Sequence, residues 1–322
     1  MFDSLKIYLC GYFQKMQKVY FLDPVHSILE ERLTNAGYLC VDCTNSPLNE
    51  LSKMIVDASG IVLRSRITLN EEVLRNVRNL QFIARSGSGL ENIDLDYCKK
   101  KNVKVYSSPE GNRNAVAEHC LGFLLSLLNN FKQAQCDIHN GEWLREKNRG
   151  IEITNLCVGS IGYGNNGRAF AEKLASIGVK VLVYDKYLKG FSGKGIYESN
   201  MEEIFKESNV ISFHVPLTSE TTYIADYQFF KGFSRPVWVL NISRGKVLKT
   251  KDLVRGLNEG IVRGAALDVL DEESKSFDVS SSNRIVMDLN NRSNVIITPH
   301  VAGWTQESYF KLSNVLADKI LE

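Results

Sequence analysis

The chain has 322 residues, of which 44% are hydrophobic and 24% charged, the balance of a globular protein with room for two domains. Its 39 basic and 37 acidic side chains leave a net charge of +2, which argues against a nucleic-acid or polybasic membrane partner. No apolar run approaches the roughly 20 residues that a membrane-spanning helix needs.

The first 15 residues contain a short apolar patch that Asp3 and Lys6 interrupt, and no small-residue cleavage site follows it. We therefore do not expect a signal peptide. Met16 stands three residues before Val19, which belongs to the first predicted strand. Residues 1–15 are thus expected to be either a poorly ordered extension or an upstream start.

The strand-like and helix-like segments alternate from residue 18 onward, which predicts a parallel sheet covered by helices. Five strands are predicted first: KVYFLD (18–23), YLCVDC (38–43), GIVLRS (60–65), LQFIARS (80–86) and VKVYSS (103–108). A helix at 24–37, closed by Gly37, separates the first two.

Cys40 and Cys43 lie three apart in a strand, so they should point to opposite faces of the sheet. No second CxxC or nearby histidine completes a metal set, and core cysteines in a reducing cytoplasm are expected.

Turn residues cluster at 107–114, and residues 115–141 are predicted to form one long helix. Its apolar residues are dense enough for a buried helix or one packed at an interface. A second alternating series follows. Its predicted strands are LCVGSIG (156–162), KVLVYD (180–185), VISFHVP (210–216), VWVLNIS (237–243), GAALDVL (264–270) and VIITPH (295–300).

The first strand of this second series runs into a glycine fingerprint, G-x-G-x-x-G, which opens a helix. Its residues are Gly162, Tyr163, Gly164, Asn165, Asn166 and Gly167. Asp185 follows 18 residues later, at the end of the next strand. The glycines permit a tight turn, close approach to a pyrophosphate and close packing of helix on strand. An acid at position 185 accepts bonds from ribose hydroxyls and repels a 2′-phosphate, so NAD is predicted over NADP, although Lys186 weakens that exclusion slightly.

Several later segments resemble the D-isomer-specific 2-hydroxyacid dehydrogenase family. They are SFHVPLTSET (212–221), NISRGKVLKTKDLVRGL (241–257), GAALDVLDEE (264–273) and VIITPHVAGWT (295–305). The resemblance runs from about Val19 to the end of the chain. It is closest to the phosphoglycerate dehydrogenase branch, through VLRSRITLNEEVL (62–74), SPEGNRNAVAEHCLG (108–122) and HVAGWTQES (300–308). It implies two doubly wound α/β domains, a flavodoxin-like substrate domain and a Rossmann NAD domain.

The resemblance places Arg244, Glu273 and His300 in the catalytic roles. The family acid lies five residues after the strand aspartate, which selects Glu273 and leaves Asp271 and Glu272 as ordinary loop charges. The family often has proline after this acid, where Ser274 stands here. The three residue types suit the chemistry: a histidine can take the hydroxyl proton, and a carboxylate beside it stabilises the imidazolium. The planar fork of an arginine can hold a carboxylate and polarise the C2 oxygen.

The resemblance also assigns binding residues. The cofactor set comprises the fingerprint, Asp185, His214, Pro216, Ile242, Ser243, Arg244, Asp268, His300, Ala302 and Gly303, with Asp268 at the nicotinamide carboxamide. The substrate set comprises Arg64, Ser65, Ser88, Gly89, Asn112 and Arg244. Arg64, with Arg66, Arg85 or Arg113, could neutralise a substrate phosphate. The alternative that His214 is a strand-end histidine with no ligand role stays open, and no metal is expected.

By the same resemblance, residues 1–109 and 299–322 form a discontinuous substrate domain, and residues 110–298 form the NAD domain. The expected protein is a cytoplasmic homodimer with the apolar helix after Asn114 as a dimer face. The predicted reaction is NAD-dependent interconversion of D-3-phosphoglycerate and its 2-keto acid, as in serine biosynthesis. Two alternatives are a glyoxylate or hydroxypyruvate reductase of the same family and an NAD-sensing binding protein that keeps the three residues.

Overall fold

The computed structural model of the protein describes residues 16–273 and 283–322. The expectations for residues 1–15 and for Ser274 lie outside the described residues. Within those ranges, no helix is both long and apolar enough to cross a bilayer.

The first sheet has five parallel strands in a flavodoxin-like order. They are β1 (Lys18–Phe21), β2 (Leu39–Asp42), β3 (Gly60–Leu63), β4 (Phe82–Arg85) and β5 (Lys104–Ser107), ordered β2-β1-β3-β4-β5. The helices between them are α1 (Ile28–Asn35), α2 (Leu48–Met54), α3 (Glu71–Leu74) and α4 (Leu95–Lys100). The order reverses between β1 and β3, and ligands bind at such points beyond the carboxyl ends of the strands.

The second sheet has seven parallel strands and a Rossmann order with one strand added. They are β6 (Cys157–Ile161), β7 (Lys180–Tyr184), β8 (Ile196–Glu198), β9 (Val210–Phe213), β10 (Val237–Asn241), β11 (Val262–Leu267) and β12 (Val295–Ile297). Their spatial order is β12-β11-β10-β9-β6-β7-β8, with the reversal between β6 and β9. The fold class predicted from the sequence is confirmed, although β8 was not anticipated because its three residues are flanked by glycine and polar residues.

The helices of the second half begin with α5 (Pro109–Leu128) and α6 (Phe131–His139). The others are α7 (Asn165–Ser176), α8 (Met201–Glu207), α9 (Tyr227–Lys231), α10 (Thr250–Asn258), α11 (Arg284–Asn291) and α12 (Gln306–Leu321). Short 3-10 turns lie at Ile153–Asn155 and Gly245–Val247.

The helix predicted for 115–141 was wrong in two respects. It begins earlier, at Pro109, because proline at the first helical position has the required φ and its missing N–H is not needed there. It also ends at Leu128, and Asn130 takes a left-handed conformation (φ 52°) before α6 starts. Asn112 therefore sits on a helix and not on a turn.

The expectation that α5 forms a dimer face stays a prediction. Much of α5 is buried, because the helix packs against both α7 and α12, whereas Glu118 and Gly122 remain exposed. Large apolar side chains are exposed on α6 and the segment after it.

Each sheet has an apolar core on both faces. Cys43 belongs to the core formed with α2, α3 and α4, whereas Cys40 packs on the opposite side with α1 and α12. The predicted opposition of the two cysteines is confirmed. Since α12 buries Leu316 and Ala317 against Val19 and Leu29, the end of the chain packs on the first sheet. We propose on this basis the division into residues 1–109 with 299–322 and residues 110–298.

Candidate active site

The predicted catalytic side chains all follow the carboxyl ends of parallel strands. Arg244 follows β10, Glu273 follows β11 and His300 follows β12. Because these three strands are neighbours in one sheet, their ends meet at one edge, opposite the strand ends of the first sheet. The fold thus brings residues from distant parts of the sequence into one cleft.

His300 and Glu273 are in direct contact, with the Nδ1 atom of His300 2.9 Å from Oε2 of Glu273. Both side chains are largely buried, at 21% and 12% exposure. The other oxygen of Glu273 accepts the Leu270 N–H at 2.7 Å, so the carboxylate is fixed before it meets the ring. This arrangement holds the ring orientation from one nitrogen and turns the rest of the imidazole toward a cavity that His300 lines.

Asp268 organises the loop that carries His300. Its carboxylate accepts a hydroxyl bond from Thr298 at 2.5 Å and N–H bonds from Val301 and Ala302, each at 2.8 Å. The residue is 1% exposed. Three bonds to a buried carboxylate lock the turn after β12, and with it the left-handed backbone of His300 (φ 55°). The predicted contact of Asp268 with a carboxamide remains a proposal.

Asp271 and Glu272 are not the ordinary loop charges expected from the sequence. Asp271 accepts the Thr250 N–H at 3.2 Å and also bonds the Thr250 hydroxyl. The same hydroxyl lies 3.2 Å from Glu272. Burial, together with the bond to Asp271 and its charge, raises the pKa of Glu272 to about 7. The two acids therefore fasten the loop after β11 to the start of α10.

Arg244 pairs with an acid that the sequence did not single out. Its Nε atom lies 2.5 Å from Oε1 of Glu91, and its Nη1 donates to the Ser243 carbonyl at 2.7 Å. Glu91 follows the glycine turn of the first sheet, 153 residues from Arg244. No sequence signal could have linked the two, because their contact depends on how the two sheets face each other.

The cavity next to these residues, which we call the catalytic pocket, has a volume of about 240 Å³. Its ionisable lining residues are Arg85, Glu91, Arg244, Lys246, Asp271, Glu273 and His300. Lys246, an exposed cation in this lining, is a further residue that the sequence reasoning missed. The sequence offered one signal for Lys246, its place two positions after the predicted Arg244.

A second cavity of about 150 Å³, the arginine pocket, holds the predicted substrate residues Arg64, Ser65, Ser88, Gly89, Asn112 and Arg244. The guanidinium of Arg64 stacks on the Trp304 ring at 3.8 Å. Burial, followed by repulsion from Arg244, lowers the pKa of the nearby Arg85 to about 10. The Ser88 hydroxyl donates to Oδ1 of Asn112 at 3.0 Å, across from Gly303.

Of the other arginines, Arg66 is occupied elsewhere. Its guanidinium donates to the carbonyls of Thr44 and Cys43 at 2.5 and 3.1 Å. Neither cavity includes Arg66 or Arg113 among its lining residues. The structure therefore does not support the expectation that Arg66 or Arg113 holds a phosphate. The guanidinium of Arg66 instead bonds the loop after β2.

Two residues of the glycine fingerprint, Asn165 and Asn166, line a groove of about 860 Å³ that we call the cofactor groove. Gly162 has φ +100°, and a side chain there would overlap the His214 carbonyl. A side chain at Gly164 would meet nothing within 4 Å, which leaves open space before α7. No side chain caps this helix, so its first N–H groups can receive an anion. These features fit a dinucleotide pyrophosphate.

The remaining predicted cofactor residues divide into two groups. Asn165, Asn166, His214, Pro216, Ile242 and Ser243 line the cofactor groove, and Asp268, Ala302 and Gly303 line the arginine pocket. His214 bonds Ser212 at 2.8 Å, and burial lowers its pKa to about 3, so the ring is neutral. Its place in the groove favours a binding role over the alternative of a histidine with no ligand role.

Tyr163 and Asp185 are already engaged with each other. The Tyr163 ring is 5% exposed and stacks on Phe191 at 4.2 Å. Its N–H donates to Asp185 at 2.7 Å, and the N–H groups of Tyr187 and Leu188 donate to the other oxygen at 2.9 Å. Burial acts to raise the pKa of Asp185, but these backbone bonds outweigh it and hold the pKa below its ordinary value. Asp185 is thus a fixed anion at the end of β7.

A sequence model of the family described as "D-isomer specific 2-hydroxyacid dehydrogenase, NAD binding domain" matches residues 121–302. That span includes the glycine fingerprint, Arg244, Glu273 and His300.

Curated relatives match nearly the whole chain. A hydroxypyruvate reductase of Thermotoga maritima is 29% identical over 305 residues, which cover 95% of this chain and 97% of that protein. A D-3-phosphoglycerate dehydrogenase of Methanocaldococcus jannaschii is 30% identical over 312 residues, which cover 95% of this chain and 57% of that protein. This chain thus spans little more than half the length of its phosphoglycerate dehydrogenase relatives.

A solved structure is similar over the same extent. A D-lactate dehydrogenase of Aquifex aeolicus, complexed with NAD and lactic acid, matches with a TM-score of 0.81 and 29% identity, covering 95% of this chain and 94% of that one.

Proposed function

Since this chain belongs to the D-isomer specific 2-hydroxyacid dehydrogenase family, as an NAD-dependent oxidoreductase acting on CH–OH groups, we propose that it interconverts D-3-phosphoglycerate and 3-phosphohydroxypyruvate. The observation that carries the choice of substrate is the pair of arginines, half-buried Arg64 and buried Arg85, beside the residues proposed as catalytic. In this proposal the reaction belongs to serine biosynthesis.

The proton chemistry rests on His300 and Glu273. In the oxidation direction, His300 takes the hydroxyl proton from the substrate as its C2–H bond breaks, and becomes imidazolium. Glu273, 2.9 Å from Nδ1, stabilises that cation and fixes which nitrogen faces the substrate. In the reduction direction the imidazolium returns the proton to the C2 oxygen. NAD, when bound, supplies the acceptor for the hydride that leaves C2.

Arg244 and the first-domain turn hold the substrate. The guanidinium of Arg244 presents Nη2 toward Gly89, whose backbone N–H is the proposed donor to the substrate carboxylate, with Ser88. A planar guanidinium can bond a carboxylate and polarise the neighbouring C2 oxygen at the same time. Ser65 and Asn112 complete the wall of the same pocket.

The phosphate proposal rests on Arg64. Its guanidinium is stacked on Trp304, and burial lowers its pKa, so the cation is held in a fixed plane at a partly desolvated position. A stacked guanidinium keeps its in-plane N–H donors available to phosphate oxygens. Arg85, 8% exposed in the same cavity, adds a second positive charge.

A second candidate function is reduction of hydroxypyruvate or glyoxylate. The observations that favour it are the 97% coverage of the Thermotoga maritima hydroxypyruvate reductase and the small size of the two cavities, about 240 and 150 Å³. An acid without a phosphate would leave Arg64 unused. An NAD-sensing role is the weaker alternative.

The two substrates are separated by replacing Arg64 with alanine. We expect the KM for 3-phosphohydroxypyruvate to rise about tenfold or more, because one charge-assisted phosphate contact is lost. The KM for hydroxypyruvate should change by less than about threefold. Arg75→Ala, on the exposed end of α3, is the matched control. Equal KM increases for both substrates would favour the second candidate.

We further propose a cytoplasmic homodimer. Supporting it, the described cysteines are all free thiols, and large apolar side chains are exposed on α6 and the segment after it. These are Phe131, Ile138, Trp143, Leu144 and Ile151, with Trp143 79% exposed. Light scattering that gave the mass of one 36.3 kDa chain at micromolar concentration would contradict the dimer.

A further inference from the structure

Glu91 contacts Arg244, the side chain proposed to bind both the carboxylate and the C2 oxygen of the substrate. Its Oε1 lies 2.5 Å from Nε of Arg244, and the ion pair spans the cleft between the two sheets. Arg244 is 24% exposed and Glu91 is 45% exposed, so both line the cleft without being fully sealed. The bond fixes the guanidinium from the first-domain side.

The two remaining guanidinium nitrogens of Arg244, Nη1 and Nη2, differ in their surroundings. Nη1 donates to the Ser243 carbonyl at 2.7 Å, which fixes the fork from the second-domain side. Nη2 points at Gly89, in the turn whose N–H groups are proposed to bind the substrate carboxylate. Two of the three nitrogens therefore set the plane, and the third is directed at the substrate position.

Gly89 allows this approach because it has no side chain. A Cβ at that position would overlap both Oε2 of Glu91 and Nη2 of Arg244. The backbone of the glycine turn, the acid and the guanidinium therefore form one closely packed unit.

The charges around Glu91 support a role for this residue in holding Arg244. Arg85 and Arg244 line the same pocket, and the charge of Arg244 lowers the pKa of Arg85 whereas Glu91 raises it. Burial acts to raise the pKa of Glu91, but the charge of Arg244 and its hydrogen bond outweigh burial and keep that pKa below its ordinary value. Glu91 is therefore ionised at neutral pH and offsets one of two neighbouring guanidinium charges.

We propose that Glu91 is a positioning residue: it holds Nε of Arg244 so that Nη2 faces the substrate carboxylate beside Gly89. This rests on the function proposed for Arg244. In this proposal the Glu91 carboxylate stays bonded to Nε of Arg244 when substrate binds. It does not occupy the position of the substrate carboxylate, so substrate need not displace it.

The test is steady-state reduction of hydroxypyruvate with NADH by full-length Glu91→Gln, compared with wild type. We expect kcat to fall and KM to rise, so that kcat/KM drops about tenfold or more, because the fork loses its anchor while Arg244 keeps its charge. NADH affinity, followed by fluorescence, should be unchanged. Glu91→Asp retains the carboxylate and should recover kcat/KM to within about threefold of wild type.

Glu72→Gln makes the same chemical change at an exposed position on α3 and should leave all parameters at wild-type values. A lower KM in Glu91→Gln would overturn the proposal, because it would mean that the acid competes with substrate for Arg244. Wild-type kinetics in Glu91→Gln would also overturn it. If Arg244→Ala itself turned over normally, the failure would be that of the proposed function, since Glu91 would then have nothing to position.

Discussion

At the scale of single residues, the acids of one short segment differ because their surroundings differ. Asp268, Asp271, Glu272 and Glu273 lie within six positions. Asp268 is buried and bonded by the turn before α12, Asp271 and Glu272 fasten Thr250, and Glu273 meets His300. The family motif could select Glu273, but nothing in the sequence separated Asp271 and Glu272 from a solvated loop, because their partner belongs to α10.

Glu272 gives a pH-dependent contribution to stability. Between the ordinary pKa of 4.5 and about 7, the folded protein keeps a proton on Glu272 that the unfolded chain has lost. The stability from this group is fully present below pH 4.5 and is lost as the pH rises through about 7. Glu272→Gln should therefore raise the urea midpoint relative to wild type at pH 8 and change it little at pH 5.

Glu202→Gln, at an exposed position of α8, is the control and should shift the two midpoints equally. A Glu272→Gln effect of the same size at both pH values would show that the carboxyl does not titrate in this range.

At the scale of secondary-structure elements, the candidate active site depends on contact between the loops after β10 and β11. Gly245 begins the 3-10 turn directly after Arg244, and a Cβ at Gly245 would overlap the Leu270 carbonyl oxygen. That carbonyl belongs to the segment leading to Glu273. The two loops can hold Arg244 and Glu273 in one cleft only while position 245 has no side chain.

Gly245→Ala should therefore lower both stability and turnover. We expect a loss of about 2 kcal/mol in the free energy of unfolding, because backbone and not a flexible side chain must move. The kcat with hydroxypyruvate should fall at least about tenfold as the two loops separate. Urea unfolding and steady-state kinetics measure the two effects.

Gly122→Ala is the matched control, since a Cβ on this exposed position of α5 meets nothing within 4 Å. It should raise stability by about 0.5–1 kcal/mol through the helix preference for alanine, with kcat unchanged. If Gly245→Ala behaved like this control, the packing of the two loops would not matter for catalysis.

At the scale of the whole molecule, the alternation of strands and helices was enough to predict two parallel α/β units, because that pattern has few alternative folds. The fingerprint at 162–167 was enough to predict a tight turn from strand into helix, because its glycines answer local backbone requirements. Contacts between the two units could not be predicted from the sequence. The pairing of Arg244 with Glu91 and the stacking of Arg64 on Trp304 join residues far apart in the chain.

The break after Leu128 was missed for a different reason. An apolar run predicts burial but not where the helix ends, and Asn130 interrupts the helix through a left-handed backbone, which asparagine can adopt but does not require. The apolar residues of α6 were consequently assigned to the same helix as those of α5.

The most direct test of the account compares wild type with His300→Ala in two assays, NADH binding by fluorescence and NADH oxidation with hydroxypyruvate. We predict that the variant still binds NADH and that its turnover is slower by about 10²–10⁴, because it lacks the group that delivers the proton. Turnover by His300→Ala at a rate near that of wild type would contradict the account, since the His300–Glu273 pair would then not carry the reaction.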